Sequence, residues 1–231
     1  MINLNSTWII DSLRIVIFGD DLIPFKETET SSFLTENHIS ASIKHDENGE
    51  DVIKEVTSLE DGTVFILSYF EKQNIIEFSL NIDKETKKDL LNTFFNKIKS
   101  LAKKFYDNDP FKVKRVGVIS SFHKDDFDGV KDSISTMSFL KSYDDFDIRL
   151  NKSLSFDEVK INQAININSS ERLFVKIEER LNIPITDMKK VAGLVIDVNT
   201  DIENVSIRDY SKTLIRLVEL SENLIANGGS L

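Results

Sequence analysis

The residues of this chain best suited to proton transfer or metal binding at neutral pH are its three histidines, His38, His45 and His123. Their spacing contains neither HxxxH nor HExxH, the patterns in which one helix face presents two imidazoles to zinc. Asp125 and Asp126 follow His123 closely. A carboxylate could therefore orient its ring as a general base, although a surface histidine beside acidic residues is the commoner arrangement. We predict no zinc site and place His123 at the surface.

The acidic run from Asp197 to Glu203 puts oxygen-bearing side chains on alternate residues, as the first part of a calcium-binding loop does. The position that such a loop reserves for glycine holds Ile202, and the position of its final bidentate glutamate holds Arg208. The run therefore does not predict a calcium loop, and we expect neither a metal nor a cofactor.

Asp197 is a carboxylate inside an otherwise apolar, strand-like segment. A buried carboxylate needs a partner, and Arg115, in a second strand-like segment, is the candidate for a buried charge pair with it. The simpler alternative is that Asp197 lies on the solvent face of a half-exposed strand, because the pleat makes one face of such a strand polar.

Other signatures of catalysis are absent from the sequence. The chain contains no GxxxxGK[ST], GxGxxG or GxSxG motif, and it has no cysteine. The lack of cysteine removes disulfides, thiolate ligands and thiol nucleophiles together. We therefore name no catalytic residue and expect a protein that is not an enzyme.

The chain has sixteen phenylalanines, which is more than two long helices would use. Four of them, Phe122, Phe127, Phe139 and Phe146, are in or near a weakly periodic stretch between residues 120 and 150. They could form an exposed apolar patch, which is typical of a protein interface. The alternative is that they pack a short helix of this stretch onto the core.

Composition places the chain among globular proteins. Its 231 residues, 40% hydrophobic and 29% charged, are enough for one larger domain or two small domains that share a core. The net charge of −10 makes nucleic acid an unlikely partner, because phosphate recognition needs clustered lysine and arginine. The N-terminus lacks a basic signal-peptide segment, and no apolar run approaches the ~20 residues of a membrane span. We therefore expect a cytoplasmic protein without membrane contact.

Strands dominate the first part of the chain. Short apolar or alternating runs bounded by turn residues predict five strands before any long helix. These are Leu13 to Phe18, Ile39 to His45, Val52 to Ser58, Thr63 to Phe70 and Ile75 to Ile82. The last two predict an antiparallel hairpin with a four-residue connection.

The segment from Lys84 to Asp107 predicts a long amphipathic helix, because its apolar residues recur at i, i+3 and i+4 while lysines occupy the other face. Asp83 stands at the N-cap position, and Pro110 closes the break that follows. We interpret the lysines as a solvated face, since no aromatic residue is interleaved with them to stack on a base.

The second half repeats the order of strands followed by a helix. Strands are predicted at Val113 to Phe122, Val159 to Ile167 and Lys190 to Asn199, and a closing amphipathic helix at Ile207 to Ala226. Between them, Phe146 to Leu154 fits a strand or a loop, Ser133 to Lys141 a short helix, and Arg172 to Leu181 drifts toward helix-like charge spacing. Gly117 marks a bulge or a close approach, where we expect a helix to cross the sheet.

These elements predict an α+β fold, with an antiparallel sheet and two long amphipathic helices. The halves 1–108 and 110–231 would be copies of one strands-then-helix unit, sharing a core within a single structural domain.

Two motifs resemble those of a sporadically distributed family of uncharacterised bacterial proteins of about this length. In that family a long helix precedes a strand of R-hydrophobic-G-hydrophobic type, matched here by Arg115 to Val118. A late strand of L-x-I/L-D-hydrophobic-D/N type, matched by Leu194 to Asn199, precedes its closing helix. The strand of Arg115 departs from the family by continuing with Ile119 to Phe122 rather than with aromatic and Asn residues. The resemblance implies a bacterial or phage-related cytosolic α+β protein, of the kind found in defence systems, and it implies no activity.

The sequence therefore favours a non-enzymatic protein-interaction module that binds another protein or itself, as a subunit or accessory of a defence or antagonism system. The alternative is a ligand-binding protein or metal-dependent enzyme with an Asp/Arg site near Arg115 and Asp197. Nucleic-acid binding through the lysine-rich helix ranks last because of the net charge.

Overall fold

The structure is a computed structural model, and most of its described residues lie in strands. It describes residues 8–20, 42–45, 51–58, 64–70, 73–85, 91–96, 98–99, 112–137, 145–178, 183–201 and 210–226.

Nine strands form one antiparallel sheet. They are β1 (Ile9–Asp20), β2 (Ser42–His45), β3 (Asp51–Ser58), β4 (Val64–Phe70), β5 (Ile75–Glu85), β6 (Lys112–Lys124), β7 (Asp147–Phe156), β8 (Val159–Glu178) and β9 (Ile183–Thr200). Their spatial order is β2-β3-β4-β5-β1-β6-β9-β8-β7. The first strand of each half, β1 and β6, therefore lies at the centre, and the last strand of each half, β5 or β9, pairs with its outer edge.

Within the described residues, three helical segments accompany the sheet. Residues 91–96 and 98–99 are helical and are called α1 here, followed by α2 (Phe127–Met137) and α3 (Tyr210–Ala226). Asp126 caps α2, because its Oδ1 accepts a hydrogen bond from the Gly129 amide at 3.0 Å. An ion pair of 2.6 Å between Lys99 and Glu222 joins α1 to α3. Among the described helices, none combines the length and the apolar character that crossing a bilayer would require.

The core lies on one face of the sheet, under the helices. Alternate residues of the central strands point to it and are fully buried, as Ile15, Val118 and Ile196 illustrate. Helix residues such as Phe95 and Leu217 complete the same cluster. Each such side chain contributes about 1.5–3 kcal/mol on burial, so this face is where the fold gains most of its stability.

The opposite face of the sheet is mixed in character. It carries Arg14, Glu77, Arg115 and Asp197 among smaller polar and apolar side chains, and it forms an open cleft across the central strands. Gly117 lies on this face, whereas its neighbours Val116 and Val118 are core residues. The described helices pack on the core face, so none of them crosses the sheet on the face of Gly117 as expected.

The predicted strands are confirmed wherever they fall on described residues, and only 39–41 and 63 of them lie outside these. The hairpin of β4 and β5 has the expected four-residue connection, from Phe70 paired with Ile75. The stretch that fits a strand or a loop is a strand, β7. The closing helix is confirmed over Tyr210–Ala226, whereas its expected start at 207 lies outside the described residues.

Three element boundaries differ from expectation. Asp83 is not a helix N-cap, because β5 continues through it to Glu85 and no helix starts at Lys84. Of that predicted helix, 91–96 and 98–99 are helical, while 86–90, 97 and 100–107 lie outside the described residues. The short middle helix starts at Phe127, ahead of the expected position, where Asp126 provides its cap. Residues 172–178 are strand rather than helix-like, because each of them pairs with a residue of β9.

Candidate functional site

The first candidate site is an arm formed by the outer parts of the two longest strands. Residues 170–178 of β8 pair with residues 183–191 of β9 in continuous register. The neighbouring strands do not follow them, because β7 pairs with β8 only as far as Asn168 and β6 pairs with β9 only from Ala192. The arm is therefore a two-stranded ribbon that projects beyond the sheet.

The arm exposes large apolar side chains. Of the five such side chains that are exposed in the described part of the chain, Leu173, Val175, Ile185 and Met188 belong to the arm, with 56, 60, 47 and 56% of their surfaces accessible. Leu173 pairs with Met188 across the ribbon, and Val175 lies two residues further along the same face. This face continues the core face of the sheet, because β8 keeps one register from the buried Ile167 to Val175.

The base of the arm is tied to the centre of the sheet by a charged cluster. Arg172, on the arm, donates from Nη1 to Asp11 Oδ1 of β1 at 2.5 Å and also contacts the His123 ring. His123 Nδ1 lies 2.7 Å from the same Asp11 oxygen, and its Nε2 lies 3.7 Å from Asp125. The cluster therefore links the arm to β1 and β6.

His123 is buried, which corrects its placement at the surface. Only 3% of the residue is accessible, and its nearest carboxylate is Asp11, which is remote in sequence. A ring so enclosed cannot meet a substrate in this conformation, so its contacts position the arm rather than a reacting group.

A second set of contacts holds the base of the arm from the helix side. The Lys190 ammonium lies 2.7 Å from Asp145 and 5.2 Å from the centre of the Phe127 ring. Asp145 also accepts from the Ser169 hydroxyl at 3.0 Å. The hydrogen bond from Lys190, followed by that from Ser169, lowers the pKa of Asp145 below its ordinary value of 3.8.

The four phenylalanines that the sequence offered as an interface do not form an exposed patch in the described residues. Phe122 and Phe146 are core residues, 2% and 8% accessible, and Phe127 packs against the core. Phe127 and Phe146 stack with ring centres 5.5 Å apart, which fixes α2 beside the start of β7. Phe139 lies outside the described residues.

The second candidate site is the cleft on the open face of the sheet, with a volume of about 350 Å³. Gly117 lies in the cleft lining beside β9, because an added Cβ would meet Asn199 Cβ at 3.4 Å and Asp197 Oδ1 at 4.0 Å. Arg14 forms two hydrogen bonds with Glu77, of 3.0 and 2.7 Å, and so its charge is matched within the cleft.

Arg115 and Asp197 both line this cleft, as neighbouring strands bring them to the same face. Each has another contact in the described residues. The Arg115 guanidinium lies over the Phe18 ring, 5.7 Å from its centre, and Asp197 Oδ1 accepts from Asn199 Nδ2 at 2.8 Å. No ion pair between the two is found there, and a direct charge pair stays a prediction.

Metal ligands are not gathered anywhere in the described part of the chain. No group of three or more histidine, aspartate or glutamate side chains is close enough there to hold an ion. Asp201, from the calcium-like run, is engaged with Lys160 at 2.9 Å.

Comparison with known proteins gives no relative to compare site by site. The chain matches no protein-family model, no curated protein and no solved structure. The resemblance to uncharacterised bacterial proteins therefore stays a prediction, and the site geometry carries the functional argument.

The arm is the feature that sequence reasoning missed. Asn168, Ser169 and Ser170 are turn-forming residue types, and they suggested that β8 ends there. The signal that could have revealed the longer strand is the alternation of Leu173, Val175 and Ile177 at a period of two.

Proposed function

We propose that this protein is a non-enzymatic protein-interaction module and that it binds another protein through its arm. The observation that carries this proposal is the concentration of exposed large apolar side chains on the arm, four of the five in the described residues. A contiguous exposed apolar surface is costly in water and is typical of a surface that a partner covers.

The dimensions of the arm indicate what its partner looks like. Nine residue pairs make a ribbon about 30 Å long and about 10 Å wide, so one face offers roughly 300 Å². A stable interface buries about 800 Å² on each partner. Since Ile185 and Phe174 give the second face apolar surface as well, we infer a partner with an apolar groove that contacts both faces of the ribbon.

A photoreactive amino acid at Val175 tests this proposal in cells of the natural host. We expect one discrete cross-linked product, and none from the same amino acid at Leu150, which is also exposed but lies on β7. A product of twice the chain's mass would identify a second copy as the partner and would overturn the assignment to a different protein. Absence of any product specific to Val175 would contradict binding through the arm.

The biological setting implied by the resemblance is part of the same proposal. We infer that the protein acts in the cytosol as a subunit or accessory of a bacterial or phage defence or antagonism system. The lack of cysteine fits a reducing compartment. Deleting the gene should reduce phage resistance or competitive killing by the host, and an unchanged phenotype under both challenges would contradict this setting.

We infer further that residues 1–108 and 110–231 are two copies of one strands-then-helix unit. What supports this is the sheet order, in which β1 and β6 occupy equivalent central positions and β5 and β9 occupy equivalent places beside them. A long amphipathic helix would close each unit. An experimental structure in which the halves do not superpose strand for strand would rule this out.

Ligand binding in the central cleft is the second candidate function. The observation that favours it is that Arg115 and Asp197 line one cleft while neither forms an ion pair within the described residues. The ligand that we propose is not a metal ion, since the described side chains gather no metal-binding group.

A further inference from the structure

The central cleft contains one arginine whose charge is matched and one whose charge is not. Arg14 is paired with Glu77 in a two-bond arrangement. Arg115 lies over the Phe18 ring, and no carboxylate of the described chain is within ion-pairing distance of it. A guanidinium stacked on an aromatic ring keeps its in-plane N–H donors free, and these donors suit a carboxylate or another flat anion.

The opposite charge is found at the other end of the cleft. Asp197 accepts a hydrogen bond from Asn199, which fixes the orientation of its carboxylate but does not neutralise it. Within the described residues no lysine, arginine or histidine forms an ion pair with Asp197. The cleft therefore presents an unmatched cation and an unmatched anion, and both are partly shielded from water.

The register fixes how far apart the backbone positions of these two residues are. The Asp197 carboxylate lies near Gly117, with Oδ1 4.0 Å from the place that a Cβ of Gly117 would occupy. Asp197 lies opposite Ile119 in the pairing of β6 with β9, and Arg115 is four residues from Ile119 along β6. At the usual rise per residue, the two backbone positions are about 13 Å apart along the strands. Gly117 lies between them on the same face, so no side chain of β6 rises from the sheet at the midpoint.

We propose that the cleft binds a small zwitterion, with its anionic group on Arg115, its cationic group on Asp197 and an apolar body over Gly117. This inference rests on the second candidate function and names its ligand class. Val16, which pairs with Gly117, and Ile119, beside Asp197, line the cleft and provide apolar contact for the body. The volume of about 350 Å³ suits a small molecule and is at the lower end for ligand pockets.

Calorimetric titration with linear amino acids that carry the amine at the far end of the chain tests this proposal. The probes are aminobutanoate, aminohexanoate and aminooctanoate, compared with hexanoate and hexylamine, which each carry a single charge. We expect affinity to rise with chain length among the zwitterions, and the single-charge analogues to bind at least tenfold more weakly than aminohexanoate.

Substitutions in the cleft test which residue binds which end of the ligand. Arg115→Ala and Asp197→Asn should each weaken aminooctanoate binding at least tenfold, whereas Leu150→Lys, at an exposed position of β7 outside the cleft, should not change it. Gly117→Ala should also weaken aminooctanoate binding, because the new methyl group occupies the cleft. The fold should be kept, because a strand tolerates alanine better than glycine.

Two results would overturn the proposal in different ways. Binding of hexanoate as tight as that of aminohexanoate, and lost in Arg115→Ala, would leave a ligand site but refute the zwitterion. The absence of saturable binding by every probe would refute the ligand site itself. Neither result bears on the proposed binding of a partner to the arm, which is measured separately.

Discussion

The side chain of Thr200, at the end of β9, links this strand to its neighbour β6. Its hydroxyl, fully buried, accepts a hydrogen bond from the Val116 amide at 3.0 Å, just beyond the last backbone pair of β6 with β9. A buried amide that loses its acceptor costs about 1–3 kcal/mol.

Thr200→Val should therefore lower the free energy of unfolding by about 1–3 kcal/mol, because valine has the same shape but cannot accept a hydrogen bond. Urea denaturation measures this, and Thr200→Ser, which keeps the hydroxyl, is the matched control and should lose less. If the valine variant were as stable as the native chain, the hydrogen bond would not hold these strands.

Asp145 provides a prediction about pH at the same scale. Its pKa is lowered by the hydrogen bonds from Lys190 and then Ser169, so its charged form is favoured in the folded state. The stabilisation is present above the unfolded pKa near 3.8 and is lost as the pH falls through the lower, folded pKa. The pH dependence of stability that Asp145 causes should therefore be confined to acid, below about pH 4.

A carboxyl-carbon NMR titration of Asp145 should give a midpoint below 3.8. Lys190→Met should move that midpoint upward, because it removes the largest cause of the shift. A midpoint that stays in place in the variant would show that Lys190 does not hold Asp145.

At the scale of elements, the hairpin between β7 and β8 contains a local conflict. Asp157 and Glu158 form its two-residue turn, and both have positive φ, 47° and 69°. Such a turn normally carries Asn-Gly or Asp-Gly, since a side chain in the left-handed region costs about 1 kcal/mol. Asp157 contacts Lys212 of α3, which ties the turn to the closing helix.

Glu158→Gly should therefore raise the free energy of unfolding by about 1 kcal/mol, as measured by urea denaturation. Ser155→Gly, at an exposed position of β7 with ordinary backbone angles, is the control and should lower it by about 0.5–1 kcal/mol. Destabilisation by both glycines would contradict the turn geometry.

The elements that could be predicted from sequence are those with one uniform environment. The apolar run of β1 predicts a buried strand and the periodicity of α3 predicts a helix with one buried face, and both elements are confirmed. The sequence of the arm does not indicate a buried face, because both faces are in water and charged residues alternate with apolar ones such as Leu173 and Val175. Its strand character comes from pairing over the full length of β8 and β9, which is a nonlocal property.

The candidate site was predictable only in part for the same reason. Arg115 and Asp197 were singled out by type, and both line the cleft. Their separation along the strands depends on the register of β6 with β9, which one sequence does not specify. The sequence leaves open whether Phe122 and Phe146 are exposed or buried, because nothing local distinguishes an exposed ring from one that the fold buries.

At the scale of the whole molecule, a strongly negative net charge is combined with a local apolar surface. The net charge of −10 favours solubility and keeps copies apart, while the exposed large apolar side chains of the described residues are concentrated on the arm. The contacts among Arg172, Asp11 and His123 fix the base of the arm to the sheet, so the partner that we propose would meet a surface held in place. Such preorganisation reduces the entropy lost on binding.

The most direct test of the central claim is the dissociation constant of the partner captured at Val175, measured with purified proteins. Leu173→Lys combined with Met188→Lys should raise it at least tenfold, about 1.4 kcal/mol, because charges replace the apolar contact on one face of the arm. Leu150→Lys, exposed on β7, should leave it unchanged. Equal binding by the arm variant and the native chain would contradict the claim that the arm is the interaction surface.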